Sequence, residues 1–371
     1  MGTADVAIVG AGMAGASLAA EIAGEASVLI LEAEDQPGYH STGRSAAFWS
    51  EIYGGPLIQP LTTASGRFLS APPEDFSDEP FLGARGAVHV ADAGGRSRLD
   101  GLAARFAASP VELVEMDRPA LESAISGLRP GWDWGLNEPT CADIDVARLH
   151  AAFLKRARAR GARLVGDARV EQARREAGRW RIETRAGLFE ATILVNAAGA
   201  GADRVAAAAG EPPLGIQPYR RTMAQLRIDP PAPPSLPLVI DARQHFYFKP
   251  EAGGRLWLSP LDETASEPVD CAPEEVDVAL AIDRMEQVVD WRVERVERSW
   301  AGLRSFAPDR LPVYGFASSR RDFFWCAGQG GFGIQTAPAA ARLAAALLLG
   351  RAPDDLVAGI DPTPYLAERL V

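Results

Sequence analysis

Lysine is nearly missing from this chain of 371 residues: Lys155 and Lys249 are the only two, and the remaining positive charge is arginine. Cysteine and histidine are also scarce. Cys141, Cys271 and Cys326 are odd in number, far apart and free of any CxxC pair, which excludes a disulfide framework or a zinc site. His40, His89, His150 and His245 stand at no metal-ligand or triad spacing, so no metal is expected. A net basic balance is lacking too. With a formal charge of -11, the chain is a poor partner for nucleic acid or an anionic membrane, both of which require a basic surface. No apolar run is long enough to cross a bilayer. The nearest, Ala337 to Leu349, is interrupted by Arg342 and reads as a buried helix. No basic residue precedes Arg44, so no basic leader is expected and the cytoplasm is the expected compartment.

What is present is an ordinary globular composition, 47% hydrophobic and 23% charged. The length predicts two domains, or one α/β unit carrying a second layer. Val6 to Val9, a Gly-rich turn, an Ala-rich helical stretch through Ile22 and Val28 to Leu31 read as a βαβ unit. Helical pattern returns from Val146 to Arg160. Strand-like segments follow at Arg163 to Val165, Trp180 to Thr184 and Ala191 to Asn196. Ala87 to Val90, Arg221 to Ile228, Phe246 to Lys249 and Arg255 to Ser259 instead look like antiparallel strands of a discontinuous second domain. The Pro-rich stretch from Asp229 to Pro237 reads as a surface loop, and no internal repeat is found.

Gly10-Ala11-Gly12-Met13-Ala14-Gly15 is a GxGxxG motif between a strand and a helix, followed by a second strand ending in Glu32. This context predicts a Rossmann-type dinucleotide site. Gly10 permits the tight turn, Gly12 lets a pyrophosphate approach the helix N-terminus, and Gly15 lets helix and strand pack closely. Glu32 is expected to accept hydrogen bonds from the ribose hydroxyls and to repel a 2′-phosphate, which leaves FAD and NAD as candidates. Near the other end, closely spaced glycines from Gly328 to Gly333 open a helix predicted to begin near Ile334. Backbone N–H groups there would face an electron-accepting ligand.

The segment Pro37-Gly38-Tyr39-His40-Ser41-Thr42-Gly43-Arg44-Ser45-Ala46-Ala47 resembles the loop under the flavin ring in the D-amino-acid oxidase (glycine and sarcosine oxidase) family. Val195 to Gly201, Trp300 to Arg304, Pro308-Asp309, Leu311 to Val313 and Gly328 to Gln335 resemble further blocks of that family, in order along the whole chain. Gly201 stands where an aromatic residue is common. The resemblance implies non-covalent FAD held by Gly10, Gly12, Ala14, Gly15, Glu32, Thr42, Arg44, Ser45, Ala46, Ala47, Val170, Gly199, Gly331, Gly333, Ile334 and Gln335. It also implies an FAD-binding domain from 1–80, 145–215 and 310–371, with a substrate domain built on an antiparallel β-sheet from 81–144 and 216–309. Arg221 and Arg304 would hold a substrate carboxylate. Tyr247 would hydrogen-bond the same carboxylate, and Tyr53 would sit on a mobile capping loop. Two guanidinium forks would then fix which Cα face meets the flavin.

Within the family, YHSTGRSAA, WAGLRSF and neighbouring stretches are most similar to the bacterial D-arginine dehydrogenases. Ala87 aligns there with a carboxylate that recognises the substrate guanidinium, and Phe48 with a histidine, while Gly331 completes the pocket. A less polar pocket implies neutral or apolar D-amino acids. Arg85, His89, Arg243 and His245 lie near these segments and keep an acidic substrate as an alternative. The expected reaction is hydride transfer from Cα to flavin, giving an imino acid and then a 2-oxo acid and ammonia, with oxygen or a quinone-type compound as final acceptor. The alternatives are a glycine or sarcosine-type amine oxidase, a 2-hydroxyacid oxidoreductase, and a non-catalytic FAD-binding subunit.

Overall fold

The computed structural model describes residues 2–370 and is built around two large sheets that share one crevice. The first has eight strands, in the order Val170–Glu176, Arg179–Thr184, Gly187–Asn196, Gly2–Val9, Val28–Leu31 and Arg163–Val165, with Phe323–Ala327 and Val313–Phe316 attached through Gly187–Asn196. Its central strands are parallel, and their carboxyl ends are level: Val9 pairs with Leu31 on one side and Asn196 on the other. The chain leaves Gly2–Val9 between two strands that cross over in opposite directions, the place where an open α/β sheet leaves a ligand crevice.

The helix Met13–Ile22 is packed between this sheet and the helices Val146–Ala159 and Ala337–Leu349. Its contacts are made largely by Ala16, Ala19 and Ala20, whose short side chains let the three helices approach closely. The predicted helix Ala337 to Leu349 is found with those bounds. It begins three residues later than Ile334, because Gly331 to Thr336 are spent on turns that follow the two-residue strand Gln329–Gly330.

The second sheet has ten strands and carries the alternating segments. From one edge it runs Gln329–Gly330, Arg292–Phe306, Gln217–Asp229, Arg255–Ser259, Tyr247–Glu251, Leu238–Asp241, Ala87–Ala91, Trp134–Glu138 and Val114–Met116, with Thr264–Ala265 added beside Gln217–Asp229. It is antiparallel as expected except at one place, where Leu238–Asp241 pairs parallel with Ala87–Ala91. Among the described residues, no helix is long and apolar enough to cross a membrane, and no group of His, Cys, Asp and Glu could hold a metal.

The fingerprint glycines are held by packing as much as by any ligand. Gly10 has φ +103, and a Cβ there would lie 2.4 Å from the Ala197 carbonyl oxygen. A Cβ on Gly15 would lie 1.9 Å from the Gly10 carbonyl oxygen. Gly15→Ala is therefore expected to lower the unfolding free energy by about 1–3 kcal/mol, the usual cost of an overpacked core. Gly24→Ala, whose nearest neighbour would be Arg160 Cδ at 3.9 Å, serves as the control. Urea unfolding of both variants checks this.

Candidate active site

A single cavity of about 980 Å³ joins the two halves of the sequence pattern, at the upper end of the range for small-molecule sites. One end is walled by Gly10, Gly12, Ala14, Glu32, Val170 and Gly199. The loop Thr42, Arg44, Ser45 and Ala46 runs along its length, and Arg221, Tyr247, Arg304, Gly331, Gly333 and Ile334 close the far end. All sixteen of these residues were singled out from sequence, and the structure brings them onto one surface.

At the first end the Glu32 carboxylate is buried and accepts from the Ala11 N–H at 2.7 Å and the Glu34 N–H at 3.1 Å. One bond to each oxygen leaves lone pairs on the cavity side for two hydroxyls. Thr42 Oγ1 accepts from the Met13 N–H at 3.0 Å and so clips the flavin-loop segment to the helix N-terminus. His150 Nε2 lies 2.8 Å from the Ala11 carbonyl oxygen. A carbonyl only accepts, so that nitrogen carries the proton, and burial holds the imidazole below its ordinary pKa and neutral.

Strand periodicity builds the other end. Arg221 and Met223 alternate onto the cavity face of Gln217–Asp229, and Gly302 and Arg304 onto that of Arg292–Phe306. Arg221 stands opposite Gly302, so its guanidinium meets no side chain across the pair. The neighbouring Arg220 points the other way, into Asp262, Glu274 and Asp277. Asp262 in turn accepts from the Thr222 N–H and hydroxyl, which fixes its own carbonyl to accept from Arg221 Nε at 2.8 Å. Arg221 Nη2 donates to Glu263 at 3.3 Å, but Nη1 is buried without a partner. Burial, together with the charge of Arg304, pushes this guanidinium down to about 10. A buried N–H of this kind costs about 1–3 kcal/mol unless something accepts from it.

Arg304 Nη1 donates to the Tyr53 hydroxyl at 2.7 Å. Gly331 makes room for that pair, since a Cβ there would fall 1.9 Å from the hydroxyl oxygen and 3.0 Å from Arg304 Nη1. Tyr247 is buried, and its hydroxyl has only the Met223 sulfur, at 3.1 Å, as acceptor. Phe48 does not line the cavity. Its ring packs 5.7 Å from both Tyr53 and Tyr247 and backs them from outside. Ala87 lies in the same apolar cluster, fully buried behind Tyr247. Gly15 and Ala47 also stand off the main cavity, Gly15 in helix packing and Ala47 on a smaller second cavity.

Gln335, expected at the cofactor, instead spends its amide on the capping segment, donating to the Ser50 and Tyr53 carbonyls and the Thr62 hydroxyl. The buried Glu138 holds the same segment from the sheet side, accepting from Ser50 Oγ at 2.7 Å and the Glu51 N–H at 2.6 Å. Tyr53 thus leads off an anchored turn. Sequence reasoning missed this Glu138 clamp, and also Met223, Gly302 and the stretch Pro268 to Cys271 on the cavity wall. Met223 and Gly302 were within reach, each lying two residues along a strand from an arginine already chosen. Of the residues suggested for an acidic substrate, Arg85 pairs with Asp143, Arg243 with Asp92 and His245 with Asp241, and His89 is buried; none lines the cavity.

Comparison with known proteins fits this geometry. The family described as FAD dependent oxidoreductase (DAO) matches residues 5–347. The chain belongs to that family. Glycine oxidase of Geobacillus kaustophilus (strain HTA426) is 25% identical over 365 residues, 93% of this chain and 92% of the relative. A D-amino-acid oxidase of Bradyrhizobium diazoefficiens is 36% identical over 69 residues, only 19% of this chain and 16% of its own. Among solved structures, glycine oxidase from Geobacillus kaustophilus superposes with a TM-score of 0.85 at 23% identity, covering 99% of both chains. L-alpha-glycerophosphate oxidase from Mycoplasma pneumoniae with FAD bound gives 0.83 at 18% identity, covering 94% of this chain and 95% of its own. The protein is thus an FAD-dependent oxidoreductase of the DAO family. The free lone pairs of Glu32 and the side-chain-free wall at Gly12 and Gly199 suit the dinucleotide.

Burial, with repulsion from Glu51, pushes the Glu138 carboxyl from 4.5 up to about 7, against the opposing pull of its hydrogen bonds. The folded state then keeps a proton that the unfolded chain has lost. Its stabilising contribution is full below pH 4.5 and declines as pH rises to about 7. Over that window the melting temperature of the wild type is expected to fall more than that of Glu138→Gln, as measured by thermal scans at fixed ionic strength.

Proposed function

We propose that this protein oxidises the Cα–N bond of a small neutral D-amino acid, releasing an imino acid that hydrolyses to the 2-oxo acid and ammonia. The observation that carries the reading is Arg221, which lines the cavity with Arg304 and whose Nη1 is buried without a partner. A substrate carboxylate accepts from it and from Arg304, and the pair of guanidiniums sets the orientation of Cα. Bound FAD supplies the two-electron acceptor for the Cα–H bond. Tyr247 and Tyr53 offer hydroxyl donors to the same carboxylate, and the rings of Phe48, Tyr53 and Tyr247 keep water from it. The two cations also favour loss of the ammonium proton, so the amine deprotonates to water without a protein base.

Ala87 lies behind Tyr247 and off the cavity wall, and no carboxylate side chain lines the cavity beside Arg221 and Arg304, which supports a neutral substrate side chain over a cationic one. The similarity of YHSTGRSAA and WAGLRSF to D-arginine dehydrogenases is therefore read as a likeness in cofactor and carboxylate binding. Glycine is the second reading, favoured by the likeness to glycine oxidase along 93% of the chain. Oxygen or a quinone-type compound then takes the electrons, and oxygen uptake during turnover distinguishes the two.

Anaerobic mixing of the yellow protein with D- and L-amino acids, glycine, sarcosine and 2-hydroxy acids is the test. Bleaching by D-alanine and larger apolar D-amino acids, and not by D-arginine, is expected. Bleaching by glycine alone transfers the assignment to the second reading, and bleaching only by 2-hydroxy acids overturns the amine chemistry. Arg304→Met is expected to lower kcat/KM by roughly 30-fold or more, the usual result of truncating one partner of a buried charge pair.

A further inference from the structure

One part of the cavity wall is explained by neither the dinucleotide fingerprint nor the arginine pair. It is the stretch from Ser266 to Cys271, of which Pro268, Val269, Asp270 and Cys271 line the cavity. The stretch is rooted in the second sheet. The strand Thr264–Ala265 pairs with Tyr219 and Arg220, the Ser266 N–H donates to the Pro218 carbonyl at 3.0 Å, and Gln217 Nε2 donates to the Ser266 carbonyl at 3.0 Å. The chain returns to that sheet as the helix Glu275–Glu286, which packs Val278, Ala281 and Met285 beneath it.

Between those roots it reaches the opposite wall through side chains. Asp270 Oδ1 pairs with Arg44 Nη1 at 2.6 Å, and Asp270 Oδ2 accepts from the Tyr39 hydroxyl at 3.1 Å. At the other side Arg204 donates to the Pro268 carbonyl at 3.2 Å and to Glu267 at 3.1 Å. Tyr39, Arg44 and Arg204 all line the cavity themselves and belong to the dinucleotide half of the molecule. A segment of one half is thus tied to the other half's cavity wall at Tyr39 and Arg44 and at Arg204, across the space that FAD would fill.

We propose that residues 266–271 form a strap that retains FAD, with Asp270 as its latch and Arg44 and Tyr39 as the catch. The Asp270 and Glu267 side chains are 55% and 81% exposed, so each ion pair is of the weak, salt-screened kind. Weak clasps on a strap without regular structure open readily, as cofactor loading requires. Val269, 49% exposed at the crest, adds little burial to hold the strap down. This inference rests on FAD dependence alone and is independent of the substrate reading.

The test is the rate at which holoprotein releases FAD, followed by the fluorescence of freed flavin after dilution into an excess of an apo-flavoprotein trap. Asp270→Asn is expected to release FAD about three- to tenfold faster than wild type at low salt, in the range of a lost partly exposed ion pair. Raising the salt is expected to speed release from wild type more than from the variant, which keeps only the Glu267–Arg204 pair. Asp270→Glu is expected to restore most of the retention. Tyr39→Phe, which removes one hydrogen bond and no charge, provides a milder variant with a smaller shift in the same direction should Asp270→Asn fail to fold. Equal release rates for wild type and Asp270→Asn, or a wild-type rate indifferent to salt, would overturn the proposal.

Discussion

The far end of this molecule depends on one buried cation that the protein leaves incompletely satisfied. Arg221 is fixed by a chain of neutralised neighbours: Asp262 is consumed by Arg220 and Thr222, and its carbonyl takes Arg221 Nε. Across the strand pair Gly302 provides no side chain, and Gly331 leaves room for the Tyr53 hydroxyl against Arg304. Arg221 lines the cavity, and its Nη1 is buried with no partner in the protein. Desolvation makes such a group costly when alone and strongly attractive to an anion of the right size. In the proposed reading, the second sheet acts as a carboxylate receptor held over a cofactor site that belongs to the first.

Charges of both signs line the nucleotide end of the cavity, Glu32, Glu34 and Asp35 with Arg169 and Arg204, whereas Arg221 and Arg304 stand at the other end, with the flavin loop between. In the proposed reading, the ribose hydroxyls of FAD would meet Glu32 and its electron-accepting ring would lie toward the arginines. Tyr53 links the second sheet back to the first: its hydroxyl meets Arg304, while its backbone is held by Gln335 from the turn before the last long helix. The arginine end of the cavity is thereby tied to the turn before the last long helix through two hydrogen bonds on Tyr53.

Much of this was legible in the sequence because it lies in local patterns. The GxGxxG turn, the Ala-rich helix and Glu32 obey spacing rules that hold within about twenty residues, and the strand Arg255–Ser259 and the helix Ala337–Leu349 were delimited by their own residues. Arg221 and Arg304 came from resemblance alone, since an isolated arginine carries no local sign of burial. Glu138 was invisible for the same reason, because its partners Ser50 and Glu51 are nearly ninety residues away and meet it only after both sheets have formed. The late start of the last helix follows from a tertiary override: Gln329 and Gly330 pair with Phe306 and Ser305, and Gly331 to Thr336 are taken up by turns, so that the helix begins only at Ala337. The side-chain amide of Gln335, expected at the cofactor, is engaged by the capping segment.

The central claim is that Arg221 keeps an unanswered N–H for a carboxylate. The most direct measurement is titration of the oxidised holoprotein with a small carboxylate that cannot be oxidised, such as acetate or benzoate, following the shift of the visible flavin band, in wild type and in Arg221→Met. Saturable binding to wild type, weakened roughly 30-fold or more in the variant with its flavin content intact, is the predicted result. Equal affinity in the two proteins would contradict the account, because the carboxylate would then be held by groups other than the one this fold is built to leave free.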